Sequence, residues 1–226
     1  MNELRSVTER EVAAFGRRDP FWPAQLTVLA AILLSLSLPS YLGIHPVWLI
    51  PAFEGVLLVA LVVTTPSAQE RRPQRRVVAL VLIGLVSASN LLNLVLLAHH
   101  LLHSTTGKNL GRELILAGVE IWITNVLLFT VWYWELDRGG PLARKLEVLR
   151  TPDLLFPQMT EKLLGGMDWR AGYVDYLYTS FTNASAFSPT DTMPLSPMAK
   201  MLMLVQSLTS LVTIGLVLAR AVNILQ

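Results

Sequence analysis

Residues 77–98 read VVALVLIGLVSASNLLNLVLLA, a run of 22 residues without a charge. A helix needs about 20 apolar residues to cross the hydrocarbon core of a bilayer, so this stretch predicts a transmembrane helix. The rest of the chain has the same character, since 53% of its 226 residues are hydrophobic and only 15% are charged. This composition lies well to the apolar side of ordinary soluble proteins. The sequence therefore predicts an all-α integral membrane protein.

Four further stretches are long enough and well enough bounded to cross a bilayer. They are residues 26–44, 48–65, 114–134 and 197–225. Short connections make the first two spans one antiparallel hairpin, and the next two a second hairpin. The chain opens on the charged MNELRSVTEREVAAFGRRDP, and no small-residue cleavage site follows the first apolar run. We therefore expect five spans and no cleavable signal peptide.

The predicted spans divide the chain into four units. These are a cytoplasmic amphipathic N-terminal segment (1–24), a four-helix membrane domain of two hairpins (25–136), a polar or interfacial connector (137–170) and a terminal unit (171–226). In the connector, Leu142, Leu146 and Leu149 fall at helical spacing with basic residues between them. That pattern is typical of a helix lying on the membrane interface. It fits a linker helix packed on the protein's own loops equally well.

Lysine and arginine are distributed unevenly between the two sides of a five-span arrangement. Only Lys108, Arg112 and Arg220, of 18 such residues, fall opposite the N-terminus. Because positively charged loops are retained in the cytoplasm, we expect the N-terminus inside, in a bacterial-type inner (plasma) membrane. The basic RRPQRR at 71–76 then contacts lipid headgroups and fixes topology. No nucleic-acid partner is expected.

The terminal unit contains DYLYTSFTNASAFSPTDTMPLSPMAK, from Asp175 to Lys200. This stretch resembles the pore module of the two-span potassium-channel superfamily, in which a short pore helix leads through a Thr-Val-Gly-Tyr-Gly filter to the inner helix. The matching positions are Tyr178, Ser180 and Phe181 in the pore helix, Asp191 after the filter, and Pro194, Ser196, Pro197, Ala199 and Lys200 at the entry to the inner helix. The resemblance covers about the last quarter of the chain and implies a re-entrant helix and loop before the last span.

The whole chain is also similar to an uncharacterised bacterial integral-membrane family of five spans. That family has an Asp-x-x-Tyr, Phe and Asp pattern before its last span, and the motifs of this second resemblance are looser.

The filter positions depart from the potassium-channel pattern, because they read Ala186, Phe187, Ser188, Pro189 and Thr190. A potassium filter stacks backbone carbonyls at angles that glycine adopts most readily, and no glycine stands here. Proline also fixes its own φ near about −65°. We therefore expect side-chain oxygens to line a shared axis instead, with Asp191 near the mouth. The candidates are Thr182, Asn183, Ser185, Ser188 and Thr190.

Two functions of different classes follow from this segment. One is a homo-oligomeric pore, tetrameric if channel-like, that passes monovalent cations with altered or weak selectivity. The alternative is a non-conducting membrane scaffold or partner-binding protein, in which Phe187 and Pro189 pack against the chain's own spans. The charge distribution places the loop on the cytoplasmic side, whereas a potassium-type pore opens to the outside, so the two lines of inference disagree about orientation.

Five polar residues lie within the predicted spans, namely Glu54, Asn90, Asn93, Glu120 and Asn125. An intramembrane acid is a functional hypothesis by default, although both acids also fit an interfacial position near headgroups. We expect Glu120 to face other helices and to be held by a polar partner such as Asn90, Asn93 or Thr124. The two asparagines of the third span are one turn apart and are typical of interhelical hydrogen bonding.

The HHLLH segment at 99–103 places His99 and His103 on one helix face, with His100 also within a turn of His103. This spacing can chelate a metal, but histidines at a helix end are also ordinary interfacial residues or pH-responsive groups. No glycine-rich phosphate loop, His-Glu-x-x-His or Gly-x-Ser-x-Gly motif is present. We therefore expect no enzyme activity, no cofactor and no dedicated metal site. The chain has no cysteine, which excludes disulfide and thiolate chemistry.

Overall fold

The computed structural model describes residues 21–38, 49–63, 73–103, 108–145, 151–160, 169–186 and 191–225. Its helices are α1 Trp22–Ser37, α2 Leu49–Val63, α3 Pro73–His103, α4 Lys108–Leu136, α5 Pro141–Lys145, α6 Pro157–Thr160, α7 Tyr173–Ala186 and α8 Pro197–Leu225. A 3-10 turn, Asp137–Gly139, follows α4, and two short strands are β1 Leu154–Leu155 and β2 Met193–Pro194. The strands pair antiparallel, with Leu154 opposite Pro194. The predicted all-α class is confirmed.

Within the described residues, three helical stretches are long and apolar enough to cross a membrane: Arg76–Leu101, Arg112–Gly139 and Pro197–Val222. They correspond to the third, fourth and fifth predicted spans. By contrast, α1 has 16 residues and α2 has 15, and at about 1.5 Å per residue neither reaches the roughly 30 Å of the hydrocarbon core. The first two predicted spans continue into residues outside the described part of the chain.

The central helix of the fold is α4, which packs against α1, α3, α7 and α8. Within the protein, 61% of its candidate span is buried, compared with 28% of the span in α8. Tyr133 and Trp134 in its last turns are among the largest fully buried side chains. They lie in the main hydrophobic core, which includes residues of α1, α3 and α7. Helix α8 therefore leaves most of its surface for lipid or another subunit.

Helix α3 runs antiparallel to α4, as the predicted second hairpin requires. Near its middle, the hydroxyl of Ser87 accepts a hydrogen bond from the indole of Trp132 at 3.0 Å. One turn later, the amide of Asn90 donates to the backbone carbonyl of Ile121 at 3.3 Å. The residue numbers of successive contacts therefore increase along α3 and decrease along α4, which is the pattern of antiparallel helices. The second of these bonds is the interhelical role that the sequence predicts for the asparagines of this span.

The C-terminal end of α4 is also the end at which α1, α3 and α8 begin. The ring of Phe21, just before α1, meets the ring of Trp134 edge-on, with centroids 5.8 Å apart. We call this the Asp137 end, and it includes residues 137–145, 151–160 and 169–173. Arg76, Arg138, Arg144, Arg170 and Lys200 lie at this end, whereas Arg112 and Arg220 lie toward the opposite end. The N-terminal segment and the RRPQRR loop are not wholly described, so the predicted grouping of positive charge stays a prediction.

Candidate functional site

The chain from residue 173 to residue 195, here called the return segment, enters the bundle from the Asp137 end. At its start, the hydroxyl of Tyr176 donates to the carboxylate of Asp137 at 2.8 Å. One and a half turns later, the ring of Phe181 packs against Trp122, with centroids 5.8 Å apart. The contacts advance along α7 but move toward the N-terminus of α4, so α7 runs antiparallel to α4. With 14 residues against 29, α7 is about half as long as α4.

The return segment then comes back to the end at which it began. Thr192 lies beside α7, with its hydroxyl oxygen 3.2 Å from that of Thr179. The backbone amide of Leu195 donates to the carbonyl of Asp153 at 2.8 Å, next to the β1–β2 pair. Both ends of the segment therefore lie at the Asp137 end, before α8 starts its own path through the bundle. Residues 187–190 lie outside the described residues.

A fully buried glutamine in the first half of α8 holds α7 in this position. The amide nitrogen of Gln206 donates to the carbonyl of Ser180 at 2.9 Å and to its hydroxyl at 2.7 Å. Its amide oxygen accepts from Asn183 at 2.8 Å and from Tyr133 at 2.5 Å. A side-chain amide has two donors and two acceptor positions, so every hydrogen-bonding position of Gln206 is occupied.

Further polar contacts extend what we call the Gln206 network, which comprises Asn125, Tyr133, Ser180, Asn183, Gln206, Ser207 and Ser210. The amide of Asn183 also donates to the carbonyl of Met203 at 3.1 Å, and its oxygen accepts from Ser207 at 3.2 Å. Asn125 donates to Ser210 at 3.0 Å, while Ser180 donates to the carbonyl of Val126 at 2.7 Å. The network therefore connects α4, α7 and α8 within one chain.

The predicted pore-lining residues occupy different environments. Asn183, which the sequence analysis assigned to a shared axis, is buried in the Gln206 network, because its position on α7 faces α4 and α8. Thr182 is half-buried and donates to the carbonyl of Tyr178 at 2.7 Å, and Ser185 is exposed and donates to that of Phe181 at 2.8 Å. Asp191 is exposed. Phe187, Ser188, Pro189 and Thr190 lie outside the described residues, as does the side chain of Ala186.

One face of α7 is uncovered in the single chain. It carries Val174, Tyr178, Phe181 and Ser185. These positions are three or four residues apart, so they form a continuous stripe along the helix. Because three of the four side chains are large and apolar or aromatic, this stripe suits lipid or another protein surface better than water.

The Asp137 end contains a polar hub that the sequence analysis did not identify. Asp137 is 1% exposed, and its carboxylate accepts from Tyr176, from the amide of Asp153 at 2.9 Å and from that of Leu154 at 3.3 Å. Asp153 in turn accepts from the amide of Arg138 at 3.0 Å. The hub thus connects α4, the connector and α7.

The chain turns sharply where it leaves α4. Arg138, Gly139 and Gly140 all have positive φ, of 53°, 82° and 94°, and glycine adopts this region at little cost. A Cβ on Gly140 would lie 3.0 Å from the carbonyl oxygen of Glu135. Arg144 then donates to the carbonyls of Trp134 at 2.7 Å and Asp137 at 2.8 Å, which caps the C-terminus of α4. The Asp-Arg-Gly-Gly-Pro run is the sequence signal that could have revealed this turn.

A second acid sits at the start of α7. The carboxylate of Asp175 accepts from the backbone amide of Gly172 at 2.7 Å. Burial raises the pKa of the Asp175 carboxyl above its ordinary value, while the Gly172 amide acts in the opposite direction. A carboxylate in the first turn also interacts favourably with the helix dipole, so Asp175 helps to fix where α7 begins.

The two intramembrane acids differ in their surroundings. Glu54 in α2 is fully buried, and neither of its carboxylate oxygens has a hydrogen-bond partner among the described residues. Glu120 in α4 is half-buried, and its Oε2 atom likewise has no partner in the described part of the chain. Among the described residues, Glu120 forms no hydrogen bond with Asn90, Asn93 or Thr124, and Asn90 donates to the carbonyl of Ile121 instead. Asn93 is buried in α3.

The histidines at the end of α3 form no metal site that the structure describes. The rings of His99 and His100 meet edge-on with centroids 6.0 Å apart, and the side chain of His103 lies outside the described residues. Among the residues with described positions, no group of three or more His, Cys, Asp or Glu could hold a metal ion.

Comparisons with protein families, with curated proteins and with solved structures find no match for this chain. The case for a function therefore rests on the return segment and on the residues that position it.

Proposed function

We propose that this protein is a channel-like integral membrane protein in which the return segment forms a cation pore of weak or altered selectivity. The observation that carries the proposal is the path of that segment, which enters the bundle as a helix about half as long as α4 and returns to the end from which it came. Non-helical backbone at membrane depth is tolerated only where it is buried in protein or lines a water-filled cavity. A re-entrant segment of this kind is a common way to build a pore.

The direction of α7 supports a preference for cations. Its C-terminus points toward the middle of the bundle, and the C-terminal end of a helix carries a partial negative charge of about half an electron. No basic residue stands in its last turn. Asp191, exposed directly after residues 187–190, places a carboxyl group on the returning side of the segment. Acidic side chains near a pore mouth favour cations, as in other cation channels.

The proposed pore requires several copies of the chain. In one copy, the outer stripe of α7 is uncovered, and so are large side chains along α8. Those of α8 include Met198, Met201, Leu204, Leu208, Leu211 and Leu218. If neighbouring subunits cover part of these faces, their return segments meet around one axis. We propose a homo-oligomer, a tetramer by analogy with the potassium-channel pore module, in a bacterial-type inner membrane.

Selectivity would then differ from that of a potassium channel. Residues 186–190 contain a proline and no glycine, so a ladder of carbonyls at glycine-dependent angles is not expected. Hydroxyl groups and Asp191 would coordinate the ion instead.

Reconstitution in vesicles tests the proposal directly. We expect purified protein to pass sodium and potassium at similar rates, and Asp191→Asn to lower cation flux severalfold. Glu113→Gln is the matched control, because it removes an exposed acid near the opposite end of α4 and should leave flux unchanged. Strong selection of potassium over sodium would contradict the proposed filter.

A second candidate function is a non-conducting scaffold, which is favoured by the Gln206 network. The amides of Asn183 and Gln206 are engaged within one chain, as expected if α7 serves as a packing element. The scaffold predicts monomers in nanodiscs, no flux in vesicles and no effect of Asp191→Asn. Oligomers without flux would also favour it over the pore.

The proposed orientation, with the N-terminus in the cytoplasm, has its own test. The chain has no cysteine, so single cysteines at Ser67 and Ser104 report on opposite sides. In intact cells, an impermeant reagent should label only the Ser104 position. Labelling at the Ser67 position would reverse the assignment.

A further inference from the structure

Glu54 is a buried acid without a partner in the described part of the chain. It lies six residues into α2, is fully buried, and has two carboxylate oxygens that accept no hydrogen bond from any described residue. Asp137, an acid buried to a similar extent, accepts bonds from a hydroxyl and two backbone amides. Buried polar atoms in proteins normally have hydrogen-bond partners, so the unpaired carboxyl group of Glu54 is expected to bind a ligand.

The helices packed against α2 supply no counter-charge at the described positions. Helix α2 contacts α1 and α3, and neither α1 nor the rest of α2 contains another titratable residue. In α3 the titratable residues stand only at its two ends. They are Arg75 and Arg76 at the start and His99, His100 and His103 at the finish.

Nor do the hydroxyl groups of α1 donate to the carboxyl. Thr27, Ser35 and Ser37 each donate to a carbonyl of their own helix, at 2.8, 2.8 and 2.7 Å. Their protons are therefore engaged within α1. Backbone amides within helices are likewise engaged by the helical hydrogen bonds.

We propose that Glu54 is a proton-binding site inside the membrane domain, where a carboxylic acid holds its proton between α1, α2 and α3. An ionised carboxylate without partners is too costly in a low-dielectric interior, whereas the protonated acid is neutral. A bound metal ion would need about six oxygen ligands, and no group of three or more acids or histidines surrounds Glu54 among the described residues. A proton is the ligand that a single carboxyl group binds.

Release of this proton requires the helices to separate. Because the carboxyl is sealed from water in the packed arrangement, the charged form gains access to solvent only when α2 moves away from α1 and α3. Protonation of Glu54 is thereby coupled to the packing of α2. The Glu54 site does not involve the return segment, so an experiment that contradicts the proposed pore leaves the proposed proton site unaffected.

Infrared spectroscopy of the purified protein in lipid tests whether Glu54 carries a proton. A protonated carboxylic acid has a carbonyl stretch distinct from that of a carboxylate. We expect the wild type to show such a band at pH 7 and Glu54→Gln to lose it, whereas the matched variant Glu120→Gln should retain it. A wild-type spectrum in which Glu54→Gln removes no such band would overturn the proposal. If Glu54→Gln folds poorly, Glu54→Asp should shift the band instead of removing it.

A lipid-soluble carbodiimide gives an independent chemical readout in vesicles. The acid transfers its proton to one carbodiimide nitrogen, its oxygen adds to the central carbon, and an acyl shift to nitrogen gives a stable N-acylurea without a leaving group. Because only the protonated acid reacts, and the reagent reaches it only when α2 separates from α1 and α3, we expect slow modification of Glu54 that falls severalfold as the pH is raised. Modification that does not depend on pH, measured by mass spectrometry of the digested protein, would contradict a protonated Glu54.

Discussion

The Gln206 network and the Glu54 site are both polar and buried between helices, yet one is fully bonded and the other is not. Gln206 finds two donors and two acceptors on α4 and α7. Glu54 finds none on α1 or α3 within the described residues. The difference follows from chemistry, because an amide can both donate and accept, whereas an ionised carboxylate only accepts and depends on donors from the neighbouring helices. An amide therefore joins membrane helices, while an acid in the same setting needs a proton.

The strongest test of this contrast is Gln206→Leu. The change removes four hydrogen bonds and leaves the Tyr133 hydroxyl without an acceptor in an apolar interior, while Ser180 and Asn183 each lose one partner and keep others. We expect a loss of roughly 2–4 kcal/mol in the free energy of unfolding, since unsatisfied groups cost more than bonds in membranes usually contribute. Reversible unfolding in mixed micelles would measure it.

Leu204→Ala is the control for Gln206→Leu, since Leu204 is on the same helix but largely exposed. Its effect should be within about 0.5 kcal/mol. If the two variants are equally stable, the Gln206 network does not hold α7 in place.

Asp137→Ala should have the next largest effect, because this buried acid differs from Glu54 in having donors around it. The change removes the acceptor for Tyr176 and for the amides of Asp153 and Leu154. We expect about 2 kcal/mol of destabilisation and faster hydrogen exchange at the two amides. Tyr176→Phe removes one of the three bonds and should show a smaller loss, so equal losses would mean that the hydroxyl alone matters.

Tyr133→Phe tests how the Gln206 network responds to the loss of a single hydrogen bond. Gln206 keeps its contact with Asn183 and with Ser180, so only one acceptor position loses a donor. The expected loss is about 0.5–1.5 kcal/mol in the unfolding free energy. A loss as large as that of Gln206→Leu would show that the network acts as a single unit, which a double mutant of the two positions would quantify.

The smallest effect is expected for Glu54→Gln. A carboxamide is close in shape to a protonated carboxyl, and both are neutral, so the unfolding free energy at pH 7 should change by less than about 0.5 kcal/mol. Destabilisation of about 3 kcal/mol or more is what the loss of a buried charged partner produces. That outcome, in the same unfolding experiment, would remove the contrast between the two sites.

The features that depend on local sequence could be predicted, and those that depend on partners could not. Apolar length alone predicts the helices that contain residues 77–98, 114–134 and 197–225. The interhelical role of Asn90 follows from an amide in an apolar run. The partner of Gln206 on α4, Tyr133, is 73 residues away in sequence, so no local pattern connects them.

The contacts that position the candidate site could not be predicted from local sequence either. The sequence places a short helix and a polar loop before α8, but which side of α7 faces the bundle depends on the docking of Asn183 against two distant helices. Gln206, a lone amide within an apolar helix, was an available signal that the sequence analysis did not use. Whether an acid such as Glu54 meets a donor is decided entirely by the neighbouring helices, which its own flanking residues do not specify.

The anchoring of the return segment has a consequence for how this protein can evolve. Residue Thr192 is tied to α7, Leu195 to the connector, and α7 itself to α4 and α8. The two ends that residues 187–190 must join are thus positioned by contacts that do not involve those four residues. Closing a short connection between ends already held in place adds little to the entropy of folding. The course of the chain on both sides of these four positions is therefore encoded in α4, α8 and the connector, so a lineage inherits the scaffold of the return segment through residues distant from it in sequence.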